Sequence, residues 1–274
     1  ESDLSNYVNN RVEISPDNPL LIEKFLEDAT EIDIDLISDG ENVLIGGILQ
    51  HIEEAGIHSG DSSCSFPPYS VPEKKIIQLK KEIEGVAKKL NVKGLMNAQV
   101  AIKNDEFYMI EVNPRASRTI PFLSKCLGHS LAKLASKVLI GNSLRDLGFS
   151  SEIVPTSYAV KAPVFPFNKF LKVDPILGPE MKSTGEVMGR GSTFGEAFGK
   201  AIKAAGDEIP TKGNIFVSVK DSDKKYLPEL CQKFIELGFN IKATKGSCQF
   251  LADKGIRVEK VNKVLEGLSL IHIS

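Results

Sequence analysis

The chain has 274 residues, 42% hydrophobic and 26% charged, with no low-complexity tract, a composition that excludes disordered and fibrous classes and fits a globular protein. A chain of this length can bury one large core or two smaller ones. Lys and Arg number 34 against 36 Asp and Glu, so the overall charge offers no grounds for nucleic acid or an acidic membrane surface as a partner. Cys64, Cys126, Cys231 and Cys248 are scattered, form no CxxC pair and read as free thiols. No charged segment followed by an apolar one opens the chain, and apolar runs such as 43–49 fall far short of a bilayer, so the expected location is cytoplasmic.

In chain order, short β-rich runs at 20–23, 31–37 and 42–50, separated by turn residues such as Asp39-Gly40, predict an antiparallel meander. From Pro72 to Leu90 the apolar residues Ile76, Leu79, Ile83, Val86 and Leu90 recur at helical spacing among lysines, predicting an amphipathic helix that covers one sheet face. Two strands follow around Gln99 and Glu111, then a helix from about Leu131 to Ile140, closed by Gly141. This order predicts an α+β unit. Between Val154 and Lys182 the Pro and aromatic content rises, predicting extended segments or edge strands. A helix is expected over Thr193–Ala205, capped by Thr193 or Ser192, followed by a linker over 206–213. Beyond it, strands at 215–219, 239–243 and near Val258 alternate with helices at 223–237 and near Phe250. That βαβαβ order predicts a parallel sheet.

The strongest chemical signal is the strand pair Gln99–Lys103 and Phe107–Asn113, joined by Asn104-Asp105-Glu106. With all three turn residues in the loop, Lys103 pairs with Phe107 and Gln99 falls opposite Glu111, with Asn113 on the same face. The three oxygen-bearing side chains then form the hard donor set that Mg²⁺ prefers. A two-residue turn would spoil this register, and a merely solvated polar face is the alternative reading. Pro114 stops the strand, and Arg115 and Arg118 bring guanidinium groups beside the donors, as expected where anions bind. Late in the chain, Thr244-Lys-Gly-Ser247 joins a strand to a helix start. Such turns bind anions, although a plain helix cap by Thr244 or Ser247 fits the residues too.

The segment Glu111-Val-Asn-Pro-Arg115 resembles the metal-binding strand end of ATP-grasp ligases. The stretches Gly46-Gly-Ile, 51–61 (HIEEAGIHSGD), 94–99 (GLMNAQ) and 178–188 (GPEMKSTGEVM) resemble, more narrowly, the second synthetase half of carbamoyl phosphate synthetase large subunits, from about Asp3 to Gly267. The resemblance implies that Lys24 and Leu26 lie at the adenine end of an ATP pocket and that Glu31 holds the ribose. It also implies that Gly56, Ile57, His58 and Ser59 contact the nucleotide, and that Gln99 and Glu111 bind both ATP and a Mg²⁺ or Mn²⁺ completed by Asn113. Arg115 and Arg118 would face the phosphorylated product, and a K⁺ would sit near Glu31 and the 51–59 loop, held largely by carbonyl oxygens. From the residues alone, His58 could equally be a turn or capping residue, and Glu31, beside Glu27, Asp28, Asp33 and Asp35, part of a solvated acidic edge. The late unit resembles the methylglyoxal synthase-like regulatory domain of the same family. That likeness places Lys224, Thr244, Ser247 and Lys263 at an effector's phosphate, with Ser247 where the family more often has Thr.

The implied architecture is an ATP-grasp C-terminal lobe, a mixed or antiparallel sheet with helices, over 1–211, and part of an α/β methylglyoxal synthase-like domain over 212–267. Residues 268–274 read as a vector-derived tail. The glycine-rich lid lobe of ATP-grasp enzymes is nearly absent, with 3–19 as its remnant. The implied activity is phosphorylation of carbamate by ATP, within carbamoyl phosphate synthesis from bicarbonate and ammonia for arginine and pyrimidine formation. A glutaminase small subunit would be the partner, and a nucleotide or ornithine the effector. A biotin carboxylase-like ligase and a non-catalytic effector-binding fragment are the alternatives.

Overall fold

The computed structural model describes residues 2–11, 19–20, 22–149, 151–169 and 173–262. Lys263, the 268–274 tail and residues 12–18 of the expected lid remnant lie outside the described residues. The chain divides into two compact units, Glu1–Asp207 and Glu208–Ser274.

After helix α1 (Ser2–Arg11), the first unit is built on seven strands: β1 (Thr30–Ser38), β2 (Val43–His51), β3 (Cys64–Phe66), β4 (Gly94–Lys103), β5 (Glu106–Asn113), β6 (Tyr158–Val164) and β7 (Gly185–Gly191). They form one sheet in the order β5-β4-β1-β2-β3-β6-β7, each neighbour antiparallel. β1 explains the layering. Its even residues Ile32, Ile34 and Leu36 pack against α2 (Glu73–Lys89) through Leu79, Ile83 and Ala87, each large aliphatic side chain contributing about 1.5–3 kcal/mol by burial. The odd residues Glu31, Asp33, Asp35 and Ile37 take the opposite face. There Ile37 joins a core with Ile120 and Leu123 of α3 (Ile120–Leu127) and Leu131 and Leu134 of α4 (Leu131–Leu139), and the three carboxylates sit on the same face of the strand beyond that core.

Four expectations are corrected. Of the run expected at 20–23, the described residues 20, 22 and 23 adopt no strand. α3 was not foreseen, because Pro121 in its first turn follows directly on an irregular Arg-bearing loop; proline is nevertheless compatible with the first helical turn. β6 is an interior strand, not an edge, because β3 covers only 159–161 and leaves Pro163 where its missing N–H interrupts no ladder on that side. The helix expected over 223–237 is split into a 3₁₀ segment, Asp221–Tyr226, and α6 (Leu227–Glu236). Pro228 lacks the N–H that a continuous helix would require there.

α5 (Phe194–Ala205) begins as the sequence implies. Thr193 Oγ1 accepts from the Glu196 N–H at 3.2 Å, and the Glu196 carboxylate accepts from the Ser192 N–H at 2.8 Å, a reciprocal capping arrangement. In the second unit β8 (Gly213–Val217), β9 (Phe239–Thr244) and β10 (Glu259–Val261) form a parallel sheet in the order β10-β9-β8. α6 and α7 (Lys245–Ala252) cover it over a core of Val217, Leu227, Cys231, Ile241, Ala243 and Leu251. The four cysteines are free thiols. No helix among the described residues is long and apolar enough to cross a membrane.

The packing of α5 on β7 depends on Gly189, where a Cβ would lie 2.1 Å from the carbonyl oxygen of Ala197 and 2.4 Å from the nitrogen of Ala201. Gly189→Ala must displace the helix backbone and should destabilise the first unit by about 1–3 kcal/mol. Urea unfolding checks this, as a lower midpoint at an unchanged slope.

Candidate active site

The β4–β5 turn is Asn104-Asp105, with φ of 49° and 66°. Two consecutive left-handed residues make a tight two-residue hairpin turn, so Lys103 pairs with Glu106 and not, as the sequence suggested, with Phe107. That register alone would set Gln99 opposite Ile110. A bulge intervenes between Gln99 and Val100: Val100 pairs with Met109, Ile110 is the extra residue, and Gln99 again faces Glu111, with Asn97 facing Asn113. On the other side of β4, Gln99 pairs with Asp33 and Asn97 with Asp35. Two rows therefore cross three strands on one face, Asp33–Gln99–Glu111 and Asp35–Asn97–Asn113. A third runs from His51 through Cys64 to Lys161.

Glu31, Asp33 and Asp35 are 5%, 4% and 0% exposed, which rules out a solvated acidic edge. Their environments differ. Gln99 Nε2 donates to Glu31, while the second oxygen of Glu31 is buried with no hydrogen-bond partner. His51 Nε2 lies 3.0 Å from Asp33 and Nδ1 3.5 Å from Glu31. Burial works against a charged His51, but Cys64, Asp33 and Glu31 together raise its pKa well above the usual histidine value. Asp35 accepts from Asn97 Nδ2 at 3.1 Å and from the Thr119 hydroxyl. Burial pushes its carboxyl up to about 6, with hydrogen bonds from Ser117 and Thr119 opposing the shift and the charge of Asp33 adding to it.

Above this floor opens a cleft of about 670 Å³. Glu111, Asn113, Arg115 and Arg118 border it on the β5 side, and His58 and Ser59 on the other. Asn113 Nδ2 donates to Glu111 at 2.9 Å. Because the amide N–H groups of Gln99 and Asn113 are engaged with carboxylates, their oxygens remain for a hard cation. His58 is both turn and wall: its Nδ1 accepts from the Gly60 N–H at 3.0 Å while the residue lines the cleft. Asp61 accepts from the N–H groups of Lys182 and Ser183 at 2.7 and 2.8 Å, which tie the 178–184 segment to this loop and hold its carboxyl below the usual range despite burial. Gly56 has φ of 96°, and a Cβ there would lie 2.6 Å from the Phe25 ring, so the strip Lys24–Leu26 passes against the 56–59 loop. Lys24, Leu26, Glu31, Gly56, Ile57 and Gln99 do not border the cleft itself.

The sequence reading assigned no role to Lys161, Asn97, Asp33, Asp35 or Thr119. Lys161 is 2% exposed, borders the cleft and donates to the Ser59 carbonyl at 3.0 Å; it was masked by its Pro-rich surroundings. The signal for Asp33 and Asp35 was present in the alternation Glu-Ile-Asp-Ile-Asp, which on a central strand turns three acids to one face.

In the second unit, Thr244 occupies the N-cap of α7 but makes no side-chain capping bond. Ser247 is 1% exposed, with its hydroxyl unpartnered. Lys224 Nζ would be 3.1 Å from a Cβ on Gly246 and pairs with Asp221 at 2.6 Å. Lys224, Thr244 and Ser247 thus converge on one helix start.

The sheet with its carboxylate floor is an ATP-grasp lobe. It resembles the biotin carboxylase domain of a single-chain bacterial carboxylase, with a TM-score of 0.51 and 16% identity over 67% of this chain and 47% of that one. It also resembles the urea amidolyase of K. lactis, with a TM-score of 0.53 and 15% identity over 64% of this chain and 12% of that one. Residues 1–147 match the family described as carbamoyl-phosphate synthase L chain, ATP binding domain, and residues 226–272 match the MGS-like domain; the chain belongs to the carbamoyl-phosphate synthase L chain family. It is 51% identical to the carbamoyl phosphate synthase large chain of Pseudomonas syringae pv. tomato, 50% to that of Vibrio cholerae and 52% to that of Halomonas eurihalina, each over 97% of this chain. The chain spans about a quarter of the length of these relatives, 25% in each case.

The raised pKa of Asp35 has a definite sign. Folding strengthens proton binding at this carboxyl, so its contribution to stability is fully present below the unfolded pKa near 4 and is lost as pH rises through about 6. Relative to Asp35→Asn, the wild type should lose about 3 kcal/mol of unfolding free energy over that window and nothing further above pH 7. Denaturant titrations of both proteins at pH 4, 5, 6 and 7 measure the difference.

Proposed function

We propose that residues 1–211 form part of the carbamoyl phosphate-forming ATP-grasp site of a cytoplasmic carbamoyl phosphate synthetase large subunit, acting on carbamate, and that residues 212–267 begin its effector domain. The observation that supports this reading is the meeting of Glu111 and Asn113 with Arg115 and Arg118 at one cleft, with Gln99 paired to Glu111 across the hairpin. Oxygen donors beside two guanidinium groups suit a metal–polyphosphate and a small phosphorylated acid.

Glu111, with the oxygens of Gln99 and Asn113, would hold Mg²⁺ or Mn²⁺, which neutralises charge spreading over the transferred phosphoryl group. The 56–59 loop and the Lys24–Leu26 strip would seat the base, and Glu31 the ribose. Arg115 and Arg118 would bind the product phosphate, and Lys161 would hold the nucleotide loop through Ser59. Phosphoryl transfer asks for position and charge, not for a side-chain nucleophile. A K⁺ would sit beside the 51–59 loop, held largely by its carbonyl oxygens. Bicarbonate, ammonia and a glutaminase subunit belong to the full-length enzyme, as does the supply of arginine and pyrimidine formation. Lys224, Thr244 and Ser247, with Lys263, would take the phosphate of a nucleotide effector at the α7 start; ornithine is the other candidate effector.

In the chain extended to the length of its relatives, Glu111→Ala should lower ATP-dependent phosphorylation of carbamate about a hundredfold or more, through loss of a charged metal ligand. Bicarbonate-dependent ATP hydrolysis at the other half should persist. Equal loss of both activities would count against the assignment. Thr244→Ala should weaken the effector response by up to about 1–3 kcal/mol of coupling while leaving unregulated turnover intact; nucleotide titrations at subsaturating ATP measure it.

A further inference from the structure

Asp35 touches none of the groups assigned to substrate or metal, yet it is the best-connected carboxylate of the floor. It is 0% exposed and accepts from Asn97 Nδ2 at 3.1 Å. Asn97 stands opposite Asn113 on β5. On its other side Asp35 accepts from the Thr119 hydroxyl. Ser117 Oγ lies 2.7 Å from Thr119 Oγ1, so both hydroxyls cluster beside Asp35. Thr119 occupies the N-cap of α3 but makes no capping bond there; its hydroxyl is turned to Asp35 instead.

Ser117 and Thr119 flank Arg118 and follow Arg115 in the loop between β5 and α3. That loop is otherwise weakly held. Its backbone ties are the Arg115 N–H to the Asn113 carbonyl at 2.8 Å and the Leu123 N–H to the Thr119 carbonyl at 2.9 Å. The Arg115 side chain donates only to its neighbour's carbonyl, that of Ala116. We infer that Asp35 is a positioning residue for phosphoryl transfer, fixing the loop that carries Arg115 and Arg118 in register with the strand that carries Glu111 and Asn113.

The inference rests on the phosphoryl-transfer reading given above. A purely structural position in a sheet this well packed would be served by an apolar or amide side chain. Burying a carboxylate opposes folding, and it is retained where its acceptor lobes reach two separate elements at once. Errors of about 1 Å in the placement of binding groups cost up to about a hundredfold in rate, so an anchor shared by the arginine loop and the ligand strand bears directly on chemistry.

The test uses the full-length enzyme run in reverse, in which the phosphoryl group passes from carbamoyl phosphate to ADP, giving ATP and carbamate. Asp35→Ala and the near-isosteric Thr119→Val should raise the KM for carbamoyl phosphate about tenfold or more while the KM for ADP stays within about twofold, since the adenine end is seated elsewhere. Asp35→Asn, whose single amide oxygen can accept from Thr119 but whose NH₂ then faces the Asn97 Nδ2 donor, should recover only part of the loss. If Asp35→Ala abolishes bicarbonate-dependent ATP hydrolysis as well, it has disturbed folding, and Thr119→Val alone decides. A wild-type KM for carbamoyl phosphate in Thr119→Val overturns the inference. Glu111→Gln separates the two readings. Full ATP synthesis in that variant rejects the phosphoryl-transfer site itself, whereas its loss beside normal Thr119→Val kinetics rejects only the role of Asp35.

Discussion

Three carboxylates on alternate residues of one central strand are the constraint around which the first unit is arranged. Buried charge is tolerated only when it is answered by donors or counter-charge, and each acid here is answered from a different direction. Gln99 reaches Glu31 from β4, His51 reaches Asp33 from β2, and Thr119 reaches Asp35 from the start of α3. The neighbouring elements are therefore tied to β1 by polar bonds on one face and by aliphatic packing on the other. Gln99 is held by its bond to Glu31 while it pairs with Glu111 across the hairpin, so the bonds that make the buried acids tolerable also fix the strand beside the cleft-lining Glu111 and Asn113.

Much of this was legible in the amino-acid order, and the failures have physical causes. α2 and α5 announce themselves through apolar spacing and, for α5, through Thr193 and Glu196. The opposition of Gln99 and Glu111 was anticipated from a three-residue turn, whereas the chain makes a two-residue turn and restores the pairing with an extra residue at Ile110. Pattern reading fixes which residues must share a face, but not where the surplus residue is accommodated. Glu31 could not be told from a surface acid because burial is a property of strand order, which places β1 third of seven from an edge. Lys161 lay in a stretch whose prolines suggested an edge. The segment 223–237 looked helical throughout, and Pro228 set the boundary.

The second unit shows the same logic on a smaller scale. Thr244-Lys-Gly-Ser247 could have been an ordinary cap, but Thr244 makes no side-chain capping bond. The Ser247 hydroxyl has no partner, and Lys224 stands over Gly246. These features are what the proposed anion site at the α7 start rests on.

The bulge at Ile110 also bears on how such chains avoid one another. β5 is the outermost strand of its sheet, and Tyr108, Met109 and Ile110 are 36%, 46% and 52% exposed, so a flat β5 would offer an apolar template for strand addition by a second chain. The surplus residue breaks the regular run of outward N–H and C=O groups and increases the local twist. An incoming strand could follow the edge for only a few residues before losing register. The irregularity that aligns Glu111 with Gln99 is therefore also the kind of bulge that blunts an edge strand against pairing with another chain.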